Sequence, residues 1–291
     1  MFYELPEVLR ETGERFLIVM NDTRVIKALL PMVKPSGKRV NVLFVEKTPY
    51  GFRGMAKGRM KPGWILRTPG GREARVLGRD EEGYVLIEME DVFSALEEEG
   101  KMPLPPYIGR EPTPEDEEYY QTVYARKPGS IAAPTAGLHF TPEIISRLRE
   151  YGYDTLYITL HVGPGTFKPV KDPDTHRMDR EYYSVPEDVA RRIEEHKGSG
   201  GKVLSVGTTT TRALESWALT GQREGYTDLF IKPPYRFRVI DALITNFHLP
   251  DGTPILLTMA FAGRKVIKRA YEEALRRDYM FFSYGDATLI L

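Results

Sequence analysis

The stretch Phe16-Leu17-Ile18-Val19-Met20-Asn21-Asp22-Thr23-Arg24 is a continuous apolar run of strand length that stops at a polar turn. Such a run reads as a buried strand. The texture changes soon after it. From Lys34 to Glu90, short β-rich runs (Val40–Glu46, Gly51–Lys57, Trp64–Thr68, Ala74–Gly78, Tyr84–Glu90) alternate with Pro-Gly, Gly-Gly and Glu-Gly turns. Closely spaced strands with this punctuation predict a small antiparallel barrel or sandwich. Asp91–Gly100 then reads as a short helix with an acidic cap and a glycine stop.

A stiff proline-rich linker, Lys101–Ile108, follows. Beyond it the pattern is mixed. Helices are predicted over Thr113–Ala125, Pro142–Tyr151, Pro186–Lys197, Thr208–Thr220 and most of Pro254–Arg277. Strands are predicted over Thr155–Val162, Lys202–Val206, Asp228–Lys232 and Val239–Thr245. This alternation implies a sheet flanked by helices. The expected fold is therefore an α/β main domain, residues 1–33 and 101–291, with a mostly antiparallel β-barrel-like domain inserted at residues 34–100.

Bulk properties narrow the function classes. The chain has 291 residues, of which 41% are hydrophobic, so a sizeable core is feasible and global disorder is not expected. Lys plus Arg balance Asp plus Glu at 41 each, which gives no net-charge argument for a nucleic-acid partner and leaves room for a local basic face. Without cysteine there are no disulfides, thiolate metal sites or cysteine nucleophiles; a reducing cytoplasm fits. The longest apolar runs, such as Pro254–Ala262, are too short to span a bilayer, and the N-terminus lacks a signal-peptide pattern. No His-Glu-x-x-His or similar ligand spacing occurs, so no metal site is expected.

Six segments can carry chemistry. Gly129-Ser130-Ile131-Ala132-Ala133-Pro134-Thr135-Ala136-Gly137-Leu138-His139-Phe140-Thr141 is small, uncharged but for one histidine, and has no period. Small residues let backbone approach a ligand closely. Thr141-Pro142-Glu143 reads as a helix start. The plain alternative is a tight buried crossover. Val203–Val206 followed by Gly207-Thr208-Thr209-Thr210-Thr211-Arg212 is strand, glycine turn and helix, suited to a carboxylate or phosphate, although an ordinary capped turn has the same form. It matches neither a Walker loop nor the dinucleotide fingerprint. His161 precedes the glycine-rich Gly163-Pro164-Gly165. The groups His176, Asp179, Glu181, Tyr182 and Tyr183 read most simply as a solvated loop. Asp241–Pro250 and Phe281–Asp286 place aromatic, amide and imidazole groups at strand ends, which suits purine stacking or, taken singly, core packing.

The motifs together resemble the S-adenosylmethionine:tRNA ribosyltransferase-isomerase family of queuosine biosynthesis. The resemblance runs through NDTRVI (Asn21–Ile26), KMPLPPYI (Lys101–Ile108), YQTVYA (Tyr120–Ala125), the Gly129–Thr141 run, HVGPGTF (His161–Phe167), GTTTTRALES (Gly207–Ser216), DALITNFHLP (Asp241–Pro250) and FFSYGDATLIL (Phe281–Leu291). Against the family pattern, the chain starts some way inside the usual protein, and the loops near Lys171–Thr175 and Gly221–Gly225 are shorter.

The resemblance implies transfer and isomerisation of the ribosyl part of S-adenosylmethionine onto 7-aminomethyl-7-deazaguanine at the tRNA wobble position. The product is epoxyqueuosine-tRNA, with adenine and methionine released. S-adenosylmethionine is then a co-substrate, no true cofactor is needed, and tRNA is the partner. A base must remove a proton beside the sulfonium. The resemblance implies a catalytic set of His139, His161, His248, Glu181 and Asp286, with the order of action open. It implies substrate contacts at Asn21, Arg24, Pro134, Thr135, Gly137, Gly163, Gly165, Thr208, Thr209, Arg212, Asn246, Phe247 and Tyr284, with Thr208–Arg212 meeting the methionine carboxylate. Phosphate contact is expected from Arg53, Lys57, Arg59, Lys61 and Arg67 of the β-rich block. An ordinary methyltransferase, or a tRNA-binding module without activity, are the other readings. Product analysis separates them: adenine plus methionine, S-adenosylhomocysteine, or neither.

Overall fold

A computed structural model describes residues 2–167 and 170–291. In chain order it contains α1 (Leu5–Glu11), β1 (Phe16–Asn21), β2 (Thr23–Val25), β3 (Leu29–Val33), β4 (Arg39–Thr48), β5 (Gly51–Ala56), β6 (Ile65–Arg67), β7 (Glu73–Arg79), β8 (Val85–Glu88), α2 (Val92–Glu99), α3 (Asp116–Tyr119) and β9 (Lys127–Ser130). It continues with α4 (Pro142–Glu150), β10 (Asp154–Leu160), β11 (Glu181–Ser184), α5 (Glu187–Gly198), β12 (Lys202–Val206), α6 (Thr208–Thr220), β13 (Glu224–Thr227), β14 (Ala242–Asn246), α7 (Thr253–Ala262), α8 (Arg264–Arg276) and β15 (Ala287–Ile290). Two compact units emerge. One comprises Met1–Arg24, Gln121–Lys127 and Ala133–Leu291; the other comprises Val25–Tyr120 and Pro128–Ala132.

The first unit is built on a seven-stranded sheet of order β13-β11-β10-β1-β12-β14-β15. β10, β1, β12 and β14 run parallel, with Met20 opposite Tyr157 and Ser205 opposite both Val19 and Leu243. β1 is buried at every residue, as a strand covered on both faces must be. Ile18, Met20, Leu204, Val206, Ala242 and Ile244 form one face with Leu5 and Leu9 of α1 and Ile144, Ile145 and Leu148 of α4. The predicted α4 start is real: Thr141 Oγ1 accepts a hydrogen bond from the Ile144 amide and Pro142 opens the helix.

The second unit is a closed antiparallel barrel, β3-β4-β5-β8-β7-β6. Alternating residues line its apolar core, among them Leu30, Met32, Val42, Phe52, Leu66 and Val76. Val92, Ala95 and Leu96 of α2 complete that core. The unit spans more than residues 34–100, because β3 (Leu29–Val33) closes the barrel by pairing with both β4 and β6.

Several local expectations fail for identifiable reasons. The helix expected over Thr113–Ala125 survives only as Asp116–Tyr119. The Asp116 carboxylate is gripped by Arg110 at 2.6 and 2.7 Å and by the Thr113 amide, and the acidic run has no apolar stripe to bury. Asp228–Lys232 forms no strand; β13 precedes it at Glu224–Thr227. There the backbone bonds to side chains, since Leu229 O accepts from Arg212 Nε and Leu229 N donates to Thr227 Oγ1. Val239 and Ile240 donate their amides to the buried Glu215 carboxylate, so the strand expected from Val239 begins at Ala242. The C-terminal helical stretch divides into α7 and α8 at Gly263, whose φ of +86° ends a helix. Glu181–Tyr183, read as part of a solvated loop, belong instead to β11, with Glu181 and Tyr183 buried.

Candidate active site

Four parallel strands carry their carboxyl ends to one edge of the sheet, where α/β sheets form ligand crevices. Asn21 ends β1, His161 follows β10, Gly207 follows β12, and Asn246–His248 end β14. The antiparallel neighbours return to the same edge. Pairing of Asn246 with Ala287 brings Phe281–Asp286 there, and pairing of Leu160 with Tyr183 brings Glu181 and Tyr182. Residues from 21 to 286 thus converge within one unit.

At the β14 end, His139 Nε2 lies 3.2 Å from Asn246 Oδ1. Asn246 Nδ2 donates to Phe282 O at 2.9 Å and Ser283 O at 3.2 Å, which orients the amide. Its oxygen therefore faces the imidazole and accepts, so Nε2 carries the proton and Nδ1 holds the lone pair. Phe2 stacks on the ring at 5.1 Å. Burial lowers the His139 pKa, opposed by the Asn246 hydrogen bond and the Asp286 charge. Asp286 itself takes the Met280 amide at 2.7 Å.

At the β10 end, His161 Nδ1 sits 2.8 Å from Thr23 Oγ1, and Tyr182 stacks on the ring at 5.4 Å. Burial lowers this pKa too, with the Asp22 charge opposing it. Asn21 ties two motifs together: Nδ2 donates to Leu160 O at 2.9 Å and Thr209 Oγ1 at 3.2 Å. Asp22 is buried, bound by Thr159 Oγ1 at 2.7 Å and Arg126 at 2.8 Å.

The β12 end opens α6. Gly207 has φ +90°, a conformation that favours glycine, and stands close to Ala136 of the small-residue run. A pocket adjoins this helix start, lined by Met178, Thr208, Thr209, Arg212, Phe230 and Leu257 among others. Arg212 is not a free fork. Its Nη1 binds the Glu181 carboxylate and its Nε binds Leu229 O at 3.0 Å, while Nη2 is buried without a partner. Glu181 Oε1 also takes the Gly163 amide at 2.7 Å. Glu181 and Arg212 are thus a buried, mutually neutralising pair.

The remaining candidates scatter in environment. His248 bonds Thr245 Oγ1 at 2.7 Å, donates its amide to Tyr271 OH, and has its pKa pushed down to about 4 by burial. Phe247 is buried in an aromatic cluster with Tyr271, Tyr279 and Phe281. Arg24 and Tyr284 are exposed. Pro134 is buried and Thr135 half-buried at the start of the short 3-10 turn Thr135–His139. Within that turn a Cβ on Gly137 would overlap the Tyr124 hydroxyl and approach Thr122 Cγ2 to 2.8 Å. Gly165 packs on Asp179. Sequence reasoning overlooked Phe2 and Thr23 and read Tyr182 as part of a solvated loop; the polar turn directly after the buried β1 strand was the available signal for Thr23. In the barrel unit, Arg53 is engaged by Asp80 at 2.5 Å and Glu82 at 3.0 Å, and Arg67 by Glu73 at 2.7 Å. Among the described residues no group of three His, Asp or Glu side chains could hold a metal ion, and no helix is long and apolar enough to cross a membrane.

Comparison with known proteins agrees with this layout. An S-adenosylmethionine:tRNA ribosyltransferase-isomerase from Rubrobacter xylanophilus is 48% identical over 100% of this chain and 86% of its own length. One from Thermus thermophilus is 47% identical over 99% of this chain and 87% of its own. A crystal structure of S-adenosylmethionine tRNA ribosyltransferase from Thermotoga maritima, 33% identical, superposes with a TM-score of 0.52 over 99% of this chain and 86% of that one. The Queuosine biosynthesis protein family matches residues 1–290, and the chain belongs to that family.

Proposed function

We infer that the protein is an S-adenosylmethionine:tRNA ribosyltransferase-isomerase of queuosine biosynthesis. It moves the ribosyl part of S-adenosylmethionine onto 7-aminomethyl-7-deazaguanine in tRNA and releases adenine and methionine. The match of the queuosine family across residues 1–290 carries this reading. S-adenosylmethionine is consumed as a substrate. A cytoplasmic site of action fits the cysteine-free sequence and the tRNA substrate.

The grouping at the sheet edge supports the following residue roles. His139 is the base of this reading. Burial keeps its ring neutral at neutral pH, and the Asn246 contact leaves Nδ1 as acceptor for a proton acidified by the adjacent sulfonium. His161, also kept neutral by burial and held by Thr23, handles a second proton as the ribose ring opens and closes. His248 serves structure, since both its ring and its amide are committed within the fold. The free amides at the start of α6, with Thr208, Thr209 and Arg212 Nη2, receive the methionine carboxylate. The test incubates the protein with S-adenosylmethionine and precursor-bearing tRNA and assays the products. Adenine and methionine are expected, and His139→Gln should lower kcat by about 10²–10⁴. Formation of S-adenosylhomocysteine would sink the assignment; an unimpaired His139→Gln would sink only the role given to that residue.

A further inference from the structure

In the barrel unit Arg53, Arg67, Arg72 and Arg75 are paired with carboxylates, whereas Lys57, Arg59 and Lys61 have none within ion-pair distance among the described residues. α8 buries Ile267 and Ala274 and sets Tyr271 against Phe247 and Phe281. Beside that stripe it presents Arg264, Lys265, Lys268 and Arg269, all exposed, at i, i+1, i+4, i+5 spacing. Nearby in the fold, Phe237 packs on Phe261 at the end of α7 with ring centroids 5.0 Å apart. Arg236 and Arg238 flank Phe237 in sequence and are exposed. Among the described residues, Arg236, Arg238, Arg264, Lys265 and Arg269 have no carboxylate within ion-pair distance, and Lys268 has only Glu272 at 3.8 Å.

The acids close to this face do not cancel it. Glu273 lies in the second half of α8 and is held by Arg276 and Arg277 at 2.7 and 2.5 Å, although it also feels Arg269. Glu215, below the Arg236–Arg238 segment, is buried and directed to the amides of Arg238, Val239 and Ile240. α5, another surface helix, differs. It interleaves Glu187, Asp188, Glu194 and Glu195 with Arg191, Arg192 and Lys197. The first half of α8 therefore gathers four exposed cations, of which only Lys268 has a carboxylate within ion-pair distance, Glu272.

We propose that the exposed cationic side of α8, Arg264, Lys265, Lys268 and Arg269, is where the tRNA sugar–phosphate backbone docks. The proposal rests on the tRNA-modifying function inferred above. Guanidinium and ammonium groups without internal partners have a high local potential and no pair to break before they meet phosphate. Each phosphate they contact releases condensed counterions, so binding must weaken with salt.

The experiment compares the whole chain with two triple variants, Arg264→Ala/Lys265→Ala/Arg269→Ala on α8 and Lys57→Ala/Arg59→Ala/Lys61→Ala in the barrel unit. The probe is fluorescently labelled precursor-bearing tRNA, titrated at several salt concentrations. The α8 triple should raise Kd about tenfold or more and reduce the log–log salt slope by about 2–3, while KM for S-adenosylmethionine and kcat at saturating tRNA stay unchanged. All six positions are exposed, and an unchanged KM for S-adenosylmethionine reports an intact fold. An α8 triple with wild-type Kd and slope overturns the proposal, as does a loss found only in the barrel triple. So does a loss of binding to phosphatidylserine vesicles without any change for tRNA. Wild-type protein that turns over tRNA while the α8 triple behaves normally refutes the surface alone; wild-type protein that binds no tRNA refutes the function reading and the surface with it.

Discussion

The barrel and the sheet edge treat polar groups in opposite ways. Among the described residues, the buried polar side chains of the barrel unit are Thr68, Asp116 and Ser130, and its core is otherwise apolar. The α/β unit buries Asn21, Asp22, Thr159, Glu181, Thr209, Arg212 and Asn246, gathered where the parallel strands end. An apolar core gains free energy from every buried side chain, whereas each buried polar group must recover its lost hydration through a partner. The fold tolerates such a concentration at one edge because these groups satisfy one another's hydrogen bonds. The barrel is stabilised by packing, and the site by mutual satisfaction.

Breaking one partner at each kind of location separates these two modes. Arg212→Met leaves Glu181 as a buried unpaired carboxylate and should lose about 3–5 kcal/mol of stability in denaturant unfolding. The double change Glu181→Met/Arg212→Met should recover most of that loss, and no recovery would mean that packing, not charge, dominates there. In the barrel, Phe52→Ala should cost about 3–4 kcal/mol through transfer and cavity terms, with no pH dependence between pH 4 and 8. A pronounced pH dependence of that loss would contradict an apolar barrel core.

His248 gives the site unit a pH signature. Its folded pKa of about 4 lies below the unfolded value near 6.5. The stability linked to keeping it neutral is complete above pH 6.5 and is lost as pH falls toward 4, amounting to about 3 kcal/mol. The acid limb of wild-type stability should therefore flatten by that amount in His248→Asn; equal limbs would contradict a buried neutral ring. Gly137→Ala is expected to cost about 1–3 kcal/mol because its methyl group overlaps the Tyr124 hydroxyl. Adding Tyr124→Phe should relieve part of the cost, and a fully additive double variant would show that the overlap lies elsewhere. Smallest of all, Arg67→Ala breaks an ion pair whose partners are both well exposed, so stability should change by about 0.5 kcal/mol or less in salt-containing buffer.

Much of the architecture was legible because it rests on local pattern. The buried run Phe16–Met20, the punctuated strands of the barrel and the Thr141-Pro142 helix start all appear where expected. Misreadings cluster where a distant side chain takes the backbone's hydrogen bonds. Glu215 shortens β14, and Arg212 occupies the Leu229 carbonyl. Nothing within a window of neighbouring residues reports a partner twenty positions away. β11 was misread for a related reason: Glu181 looks solvated in sequence and is buried only because Arg212 meets it.

By itself, the sequence determined the alternating α/β character, the β-rich block, the motifs and the family, since each depends on composition and spacing along the chain. Tertiary structure alone decided the surroundings of the motif residues. His139 and His161 stand at the sheet edge with pKa values lowered by burial, Arg212 Nη1 is held by Glu181, and His248 is built into the fold. Protonation and pairing depend on burial and on partners brought close by the parallel sheet, and those distances exist only after the strands have assembled.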